Sequence, residues 1–101
     1  MANYSIKDCI DQFLRKLYDK KGKEFSEIAI NWGKIAGDEI SKKCIPVDMK
    51  YYKKNSERYN ILVVSLKNKS GIFEMKFSEM VIIERINNYL GFKAISGINF
   101  K

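Results

Sequence analysis

The densest apolar pattern in the chain lies over residues 70–91, SGIFEMKFSEMVIIERINNYLG, which holds Ile72, Phe73, Met75, Phe77, Met80, Val81, Ile82, Ile83, Ile86 and Leu90. Ser70 offers an N-cap oxygen and Gly91 a left-handed terminator, so the segment between them is predicted helical. At about 25 cal/mol per Å² of apolar area, the rest of the fold is expected to cover these side chains. On a helical wheel Phe73, Phe77, Met80 and Val81 form one stripe, with Ile72, Ile83, Ile86 and Leu90 about a third of a turn away. Ser78 before Glu79 suits a fresh start, so the pattern admits one bent helix or two short ones.

Upstream, Ile6, Cys9, Ile10, Phe13, Leu14 and Leu17 recur at helical steps after Ser5 and predict a first helix on residues 1–24. A second helix beginning near Ser26 places Phe25, Ile28, Trp32, Ile35 and Ala36 on one buried stripe. Gly33 inside it costs about 1 kcal/mol relative to alanine, which predicts a close packing contact beside Trp32. Gly37-Asp38 marks a kink or restart, with the end near Lys43. From Cys44 to Tyr51 the period becomes two. Ile45, Val47, Met49 and Tyr51 fall on one face of a half-buried strand, and Pro46 puts that strand at an edge or near its start. Residues 52–58 are polar and read as a hairpin connection. YNILVVSL (residues 59–66) is a second strand, with Leu62, Val64 and Leu66 toward the helices and Tyr59, Ile61 and Val63 on the opposite side. An antiparallel sheet with an open face has no need of that second row, so something must cover it. Residues 94–100 read as a last short strand. The order is α-α-β-β-α(α)-β, an α+β fold with helices on one face of a three-stranded, mainly antiparallel sheet.

The length of 101 residues fits a single domain, residues 1–101. No apolar run approaches the ~20 residues needed to span a bilayer, and the early charges of MANYSIKDCIDQFLRK are unlike a secretory signal, so a cytoplasmic location is expected. Cys9 and Cys44 have apolar neighbours and read as buried thiols. The formal charge is +7. A lysine-rich, proline-poor composition inflates it everywhere, but residues 50–69 alone hold six basic residues and one acidic residue, a local +5.

The chain has no histidine, which excludes Ser-His and Cys-His catalysis and imidazole metal ligation. It has no CxxC, GxGxxG or GxxxxGK[ST] either, so no enzyme, no cofactor and no small-molecule substrate are expected. The candidate chemistry is the basic stretch. Lys50, Lys53, Lys54, Arg58, Lys67 and Lys69 accompany Tyr51, Tyr52 and Tyr59. Cations that neutralise phosphates release counterions and exposed tyrosines stack on bases, so the pattern suits nucleic acid, with Tyr52 the stacking candidate. The plainer reading is a solvated lysine loop that keeps an edge strand from aggregating. Tyr59, Ile61 and Val63 are candidates for a partner-facing patch.

In order, Trp32-Gly-Lys-Ile35-Ala-Gly37, Cys44-Ile-Pro46, Ile61-Leu62-Val63-Val64, Glu84-Arg85-Ile86-Asn87-Asn-Tyr-Leu90-Gly91-Phe92 and Ile95-Ser-Gly-Ile98-Asn-Phe100 resemble the DciA family of bacterial proteins. The likeness covers the core, residues 25–101. It implies a K-homology-like domain that binds the DnaB-type replicative helicase and single-stranded or forked DNA, assists helicase loading and needs no membrane. The backbone-clamping GxxG loop of K-homology domains has no counterpart, since Gly33 and Gly37 fall on a helix. Many family members also carry a basic tail beyond the domain. With the sequence ending at Lys101, any helicase contact made by such a tail is expected to be absent or to fall on the folded domain. The rival reading is a K-homology-type RNA-binding protein such as a ribosome-assembly factor. A third is a purely protein-binding adaptor.

Overall fold

The computed structural model describes residues 12, 13, 16 and 19–101. The helix expected on residues 1–24 therefore lies largely outside the described residues, as does Cys9; Gln12, Phe13 and Lys16 are helical and exposed. The elements that follow are α1 (Lys23–Ile30), α2 (Trp32–Ala36), α3 (Asp38–Lys43), β1 (Cys44–Lys54), β2 (Glu57–Leu66), α4 (Ile72–Phe77), α5 (Glu79–Leu90) and β3 (Gly97–Phe100). Short 3-10 turns at Asp19–Lys21 and Lys69–Gly71 precede α1 and α4. The architecture is α+β, and the element order is the expected one.

Helices α1 to α3 are one apolar stripe broken twice. Asn31 ends α1 because its side-chain amide donates to the Glu27 carbonyl at 2.9 Å, competing with the helical backbone. Gly37, at φ 89, separates α2 from α3, where the sequence places the restart. Phe25, Ile28, Trp32, Ile35 and Ala36 are all buried as expected. The Trp32 indole N–H donates to the Cys44 carbonyl at 2.8 Å, tying α2 to the first residue of β1. Gly33 is a correction. It is exposed, and a Cβ there would meet nothing within 4 Å, because the residue sits on the solvent side of α2 while Trp32 turns inward.

The sheet order is β1-β2-β3, with β1 antiparallel and β3 parallel to β2. Cys44, Pro46 and Met49 of β1, Leu62, Val64 and Leu66 of β2, and Ile98 and Phe100 of β3 face the helices. β1 departs from simple alternation through a bulge between Pro46 and Asp48. The extra residue reverses side-chain parity, so Ile45 is exposed and Pro46 buried ahead of it, while Met49 and Tyr51 keep the predicted face beyond it. The bulge is fixed from outside the sheet: Lys21 Nζ donates to the Val47 carbonyl at 3.1 Å and lies 3.5 Å from Asp48 Oδ1.

Residues 70–91 resolve into two helices. Asn68, rather than Ser70, supplies the capping oxygen, accepting from the Ser70 N–H at 3.1 Å. Ser78 makes the break through its backbone without a side-chain cap, and Gly91 at φ 83 ends α5 in the left-handed conformation. Met75, Ile82 and Ile86 enter the core, and Ile72, Ile83 and Leu90 pack partly against it. The expectation that the fold covers the whole pattern fails for Phe73, Phe77, Met80 and Val81, which are exposed. Helical geometry sets Phe73 and Phe77 on the side of α4 opposite Met75, so they cannot enter the core with it. Beyond α5, Asn87 Oδ1 accepts from the N–H groups of Ala94 and Ile95 at 2.9 and 3.0 Å, and its amide donates to the Ile95 carbonyl at 3.1 Å. That clamp buries Ile95 ahead of the strand, which begins only at Gly97.

Candidate nucleic-acid interface

The hairpin expected here is present, but most of the polar connection over residues 52–58 is strand, the outer half of a long hairpin. β1 runs to Lys54 and β2 starts at Glu57. The turn is Asn55-Ser56 alone, with φ of 52° and 68°. Two successive positive φ values match the right-handed twist of the flanking strands, and asparagine tolerates that conformation best after glycine. Polar residues continue the ladder because, among the described residues, no helix covers either face of this half: residues 51–58 are all exposed. The result is a two-stranded arm projecting past the core.

Register divides the predicted cations between two faces. Tyr52 lies opposite Tyr59, Lys50 opposite Ile61 and Lys54 opposite Glu57 on the outer face, while Lys53 lies opposite Arg58 on the face that continues the core side. The two tyrosine rings stack on each other, with centroids 5.1 Å apart and planes at 10°. Tyr52 keeps 41% of its surface exposed, so one π-face of the stack is open to a base. On the other face Tyr51, Lys53, Arg58 and Asn60, with Tyr52 at the edge, line a shallow hollow of about 310 Å³.

The foot of the arm is held by α1 and the turn before it. The Tyr51 hydroxyl donates to the Lys21 carbonyl at 2.8 Å, and burial, with Glu24 and Asp48 nearby, pushes its pKa above the ordinary tyrosine value. Gly22 makes that contact possible, since at φ 107 it carries no Cβ where one would collide with the Tyr51 hydroxyl. The Asp48 carboxylate is held below its ordinary pKa, chiefly by the Met49 N–H that it accepts at 2.8 Å and further by Lys21. Lys21 is thereby spent on the fold.

Lys67 and Lys69 lie elsewhere. They follow the far end of β2, ten residues or roughly 30 Å from the turn at ~3.4 Å per residue. There Lys67 joins Lys42 and Lys43 around a hollow of about 350 Å³ that Asn68, Ser70 and Glu74 also line. Its backbone N–H donates to the Lys43 carbonyl at 2.9 Å. Lys42 and Lys43 were missed by the sequence reading, although a dibasic pair immediately before a strand that pairs with the end of β2 was the available signal. Of the partner-facing candidates, Tyr59 and Ile61 are half-buried, and Val63 is buried at 3% exposure.

A family described as "Dna[CI] antecedent, DciA" matches residues 5–100. An uncharacterized protein, RP826, of Rickettsia prowazekii (strain Madrid E) is 35% identical over 94 residues, covering 93% of this chain and 87% of that protein. No solved structure matches the chain.

Proposed function

The chain belongs to the DciA family, and from that membership we propose that it is a non-enzymatic accessory of the bacterial replicative helicase, binding both helicase and DNA to assist helicase loading. The family's association with helicase loading supplies the replication role. The observation that carries the DNA part is the arm: Lys50, Lys53, Lys54 and Arg58 stand exposed around a stacked tyrosine pair on a projecting hairpin. Cations on such an arm neutralise phosphates whatever the sequence, and the open face of Tyr52 offers stacking to an unpaired base, so the preferred ligand is single-stranded or forked DNA. Lys67 and Lys69, with Lys42 and Lys43, add a second positive area for a strand long enough to reach both.

The test is a pull-down with the host's own replicative helicase, with and without forked DNA. Retention of helicase in both conditions and of DNA by the chain alone is the expected result. Recovery of ribosomal subunits in place of helicase refutes the reading in favour of RNA binding. Helicase binding with no measurable DNA affinity reduces the protein to a protein-only adaptor.

A further inference from the structure

The outer half of the hairpin has four rungs, and register shows what each side chain meets across the ladder. Tyr51 lies opposite Asn60, Tyr52 opposite Tyr59, Lys53 opposite Arg58 and Lys54 opposite Glu57. Three of these rungs are complementary or tied to the body of the fold. The Tyr51 hydroxyl and the Asn60 amide donate to the Lys21 and Ala94 carbonyls at 2.8 and 2.9 Å, the two tyrosines stack, and Lys54 faces an acid. The remaining rung sets Lys53 against Arg58, and like charges directly opposite each other destabilise a ladder. Neither has an ion-pair partner among the described residues.

The same pair borders the hollow of about 310 Å³, whose lining of Tyr51, Tyr52, Lys53, Arg58 and Asn60 contains no acid. Glu57 lies on the other face of the arm, and Asp48 is held by the Met49 N–H and Lys21. Glu24, beside the Tyr51 hydroxyl, belongs to the foot of the arm. Keeping an edge strand from pairing needs charge on it, but not two charges of one sign face to face. With Cβ atoms ~5 Å apart across a rung, an ammonium and a guanidinium can converge on one anion between them. The guanidinium supplies a planar fork of donors and the ammonium a point charge, a combination suited to the oxygens of a single phosphate.

We propose that Lys53 and Arg58 form a clamp for one backbone phosphate, and that the bound phosphate offsets their repulsion, so that DNA binding and the order of the arm are linked. This rests on the arm being the DNA contact proposed above, and it divides the strand between the two faces: a phosphate in the hollow, a base on the outer stack. Tyr52 serves both, since it edges the hollow and carries the open π-face. It stands on β1, an edge strand of the sheet, around which a single strand passes from one face to the other.

The experiment compares the full wild-type chain with Lys53→Glu and Lys54→Glu, variants of equal net charge at adjacent exposed positions. It measures oligothymidylate affinity and the hydrogen exchange of the arm's backbone amides at low salt. Lys53→Glu turns the repulsive rung into an attractive one, so protection over residues 52–59 is expected to rise about threefold or more while DNA affinity falls about tenfold or more. Lys54→Glu sets a carboxylate opposite Glu57, so protection falls, and affinity drops by less than in Lys53→Glu. Inorganic phosphate, against chloride at matched ionic strength, raises protection of the arm in the wild type and not in Lys53→Glu. Equal losses of DNA affinity in the two variants, or protection that falls in both, overturn the clamp while the arm remains the DNA contact. No gain from phosphate in the wild type overturns the linkage. DNA affinity unchanged in both variants overturns the clamp and the arm reading beneath it.

Discussion

Neutralising the arm with Lys53→Gln, Lys54→Gln and Arg58→Gln tests whether DNA binding resides there, and the structure gives the size of the effect. The arm presents four cations, Lys50, Lys53, Lys54 and Arg58. If a single strand engages all four, log K falls with log salt at a slope of about −2.8, or roughly fifty-fold between 50 and 200 mM. Recruiting Lys67 and Lys69 as well steepens the slope to about −4.2, roughly 300-fold over the same range. A strand confined to the outer face meets only Lys50 and Lys54, which gives about −1.4. The wild-type slope therefore reports how many of these groups one strand reaches, and across which face. In the triple variant only Lys50 remains on the arm, and the slope drops to about −0.7 if the arm acts alone. Fluorescence anisotropy of a labelled oligothymidylate at four salt concentrations measures both. A triple variant whose slope matches the wild type refutes the assignment, whatever its absolute affinity.

Three further predictions concern the scaffold. Asn87→Leu orphans the buried N–H groups of Ala94 and Ile95 and is expected to cost about 2–5 kcal/mol in urea unfolding, while the exposed Asn88→Leu stays near wild type. Ser26 is buried with its hydroxyl unpartnered among the described residues, so Ser26→Ala is expected to stabilise the fold by about 1 kcal/mol; a lower melting temperature contradicts this. Tyr51 has a raised pKa in the folded state, so its contribution is fully present below the unfolded value near 10 and is lost as pH rises through the folded value. Cys44, raised by burial, acts in the same direction. Melting temperature should accordingly fall on the alkaline side, and Tyr51→Phe should flatten that limb without abolishing it.

What the sequence made legible was whatever periodicity governs. The stripe Phe25, Ile28, Trp32, Ile35 and Ala36 and the inward row Leu62, Val64 and Leu66 are buried as read, because burial is what their spacing encodes. Asn87 is the structural amide its position at the end of α5 suggests. The bulge before Asp48 was not legible, because it depends on Lys21 reaching a carbonyl twenty-six residues away. The hairpin was legible but its connection over residues 52–58 is too long, because a ladder without a covered face carries no apolar alternation to show how far the strands run. Its basic residues stand out as a group by charge, but their division between two faces and two ends of β2 follows only from register. Exposure of Phe73 and Phe77 runs against the assumption that apolar residues are there for the core, because on α4 they lie opposite Met75 and only one side of so short a helix can face inward.

The Asn55-Ser56 turn closes an arm whose tip no helix among the described residues covers, and this constrains how the arm can change over evolution. Lengthening or shortening it disturbs no core contact, so reach is open to adjustment. Side chains alternate, however, so adding one residue to each strand between the core and the Tyr52–Tyr59 pair would carry the tyrosine stack to the side now held by Lys53 and Arg58. Arms that preserve both faces must therefore grow or shrink by two residues in each strand. Where an alignment of relatives has gaps between the core and the Tyr52–Tyr59 pair, each strand should therefore gain or lose residues in twos.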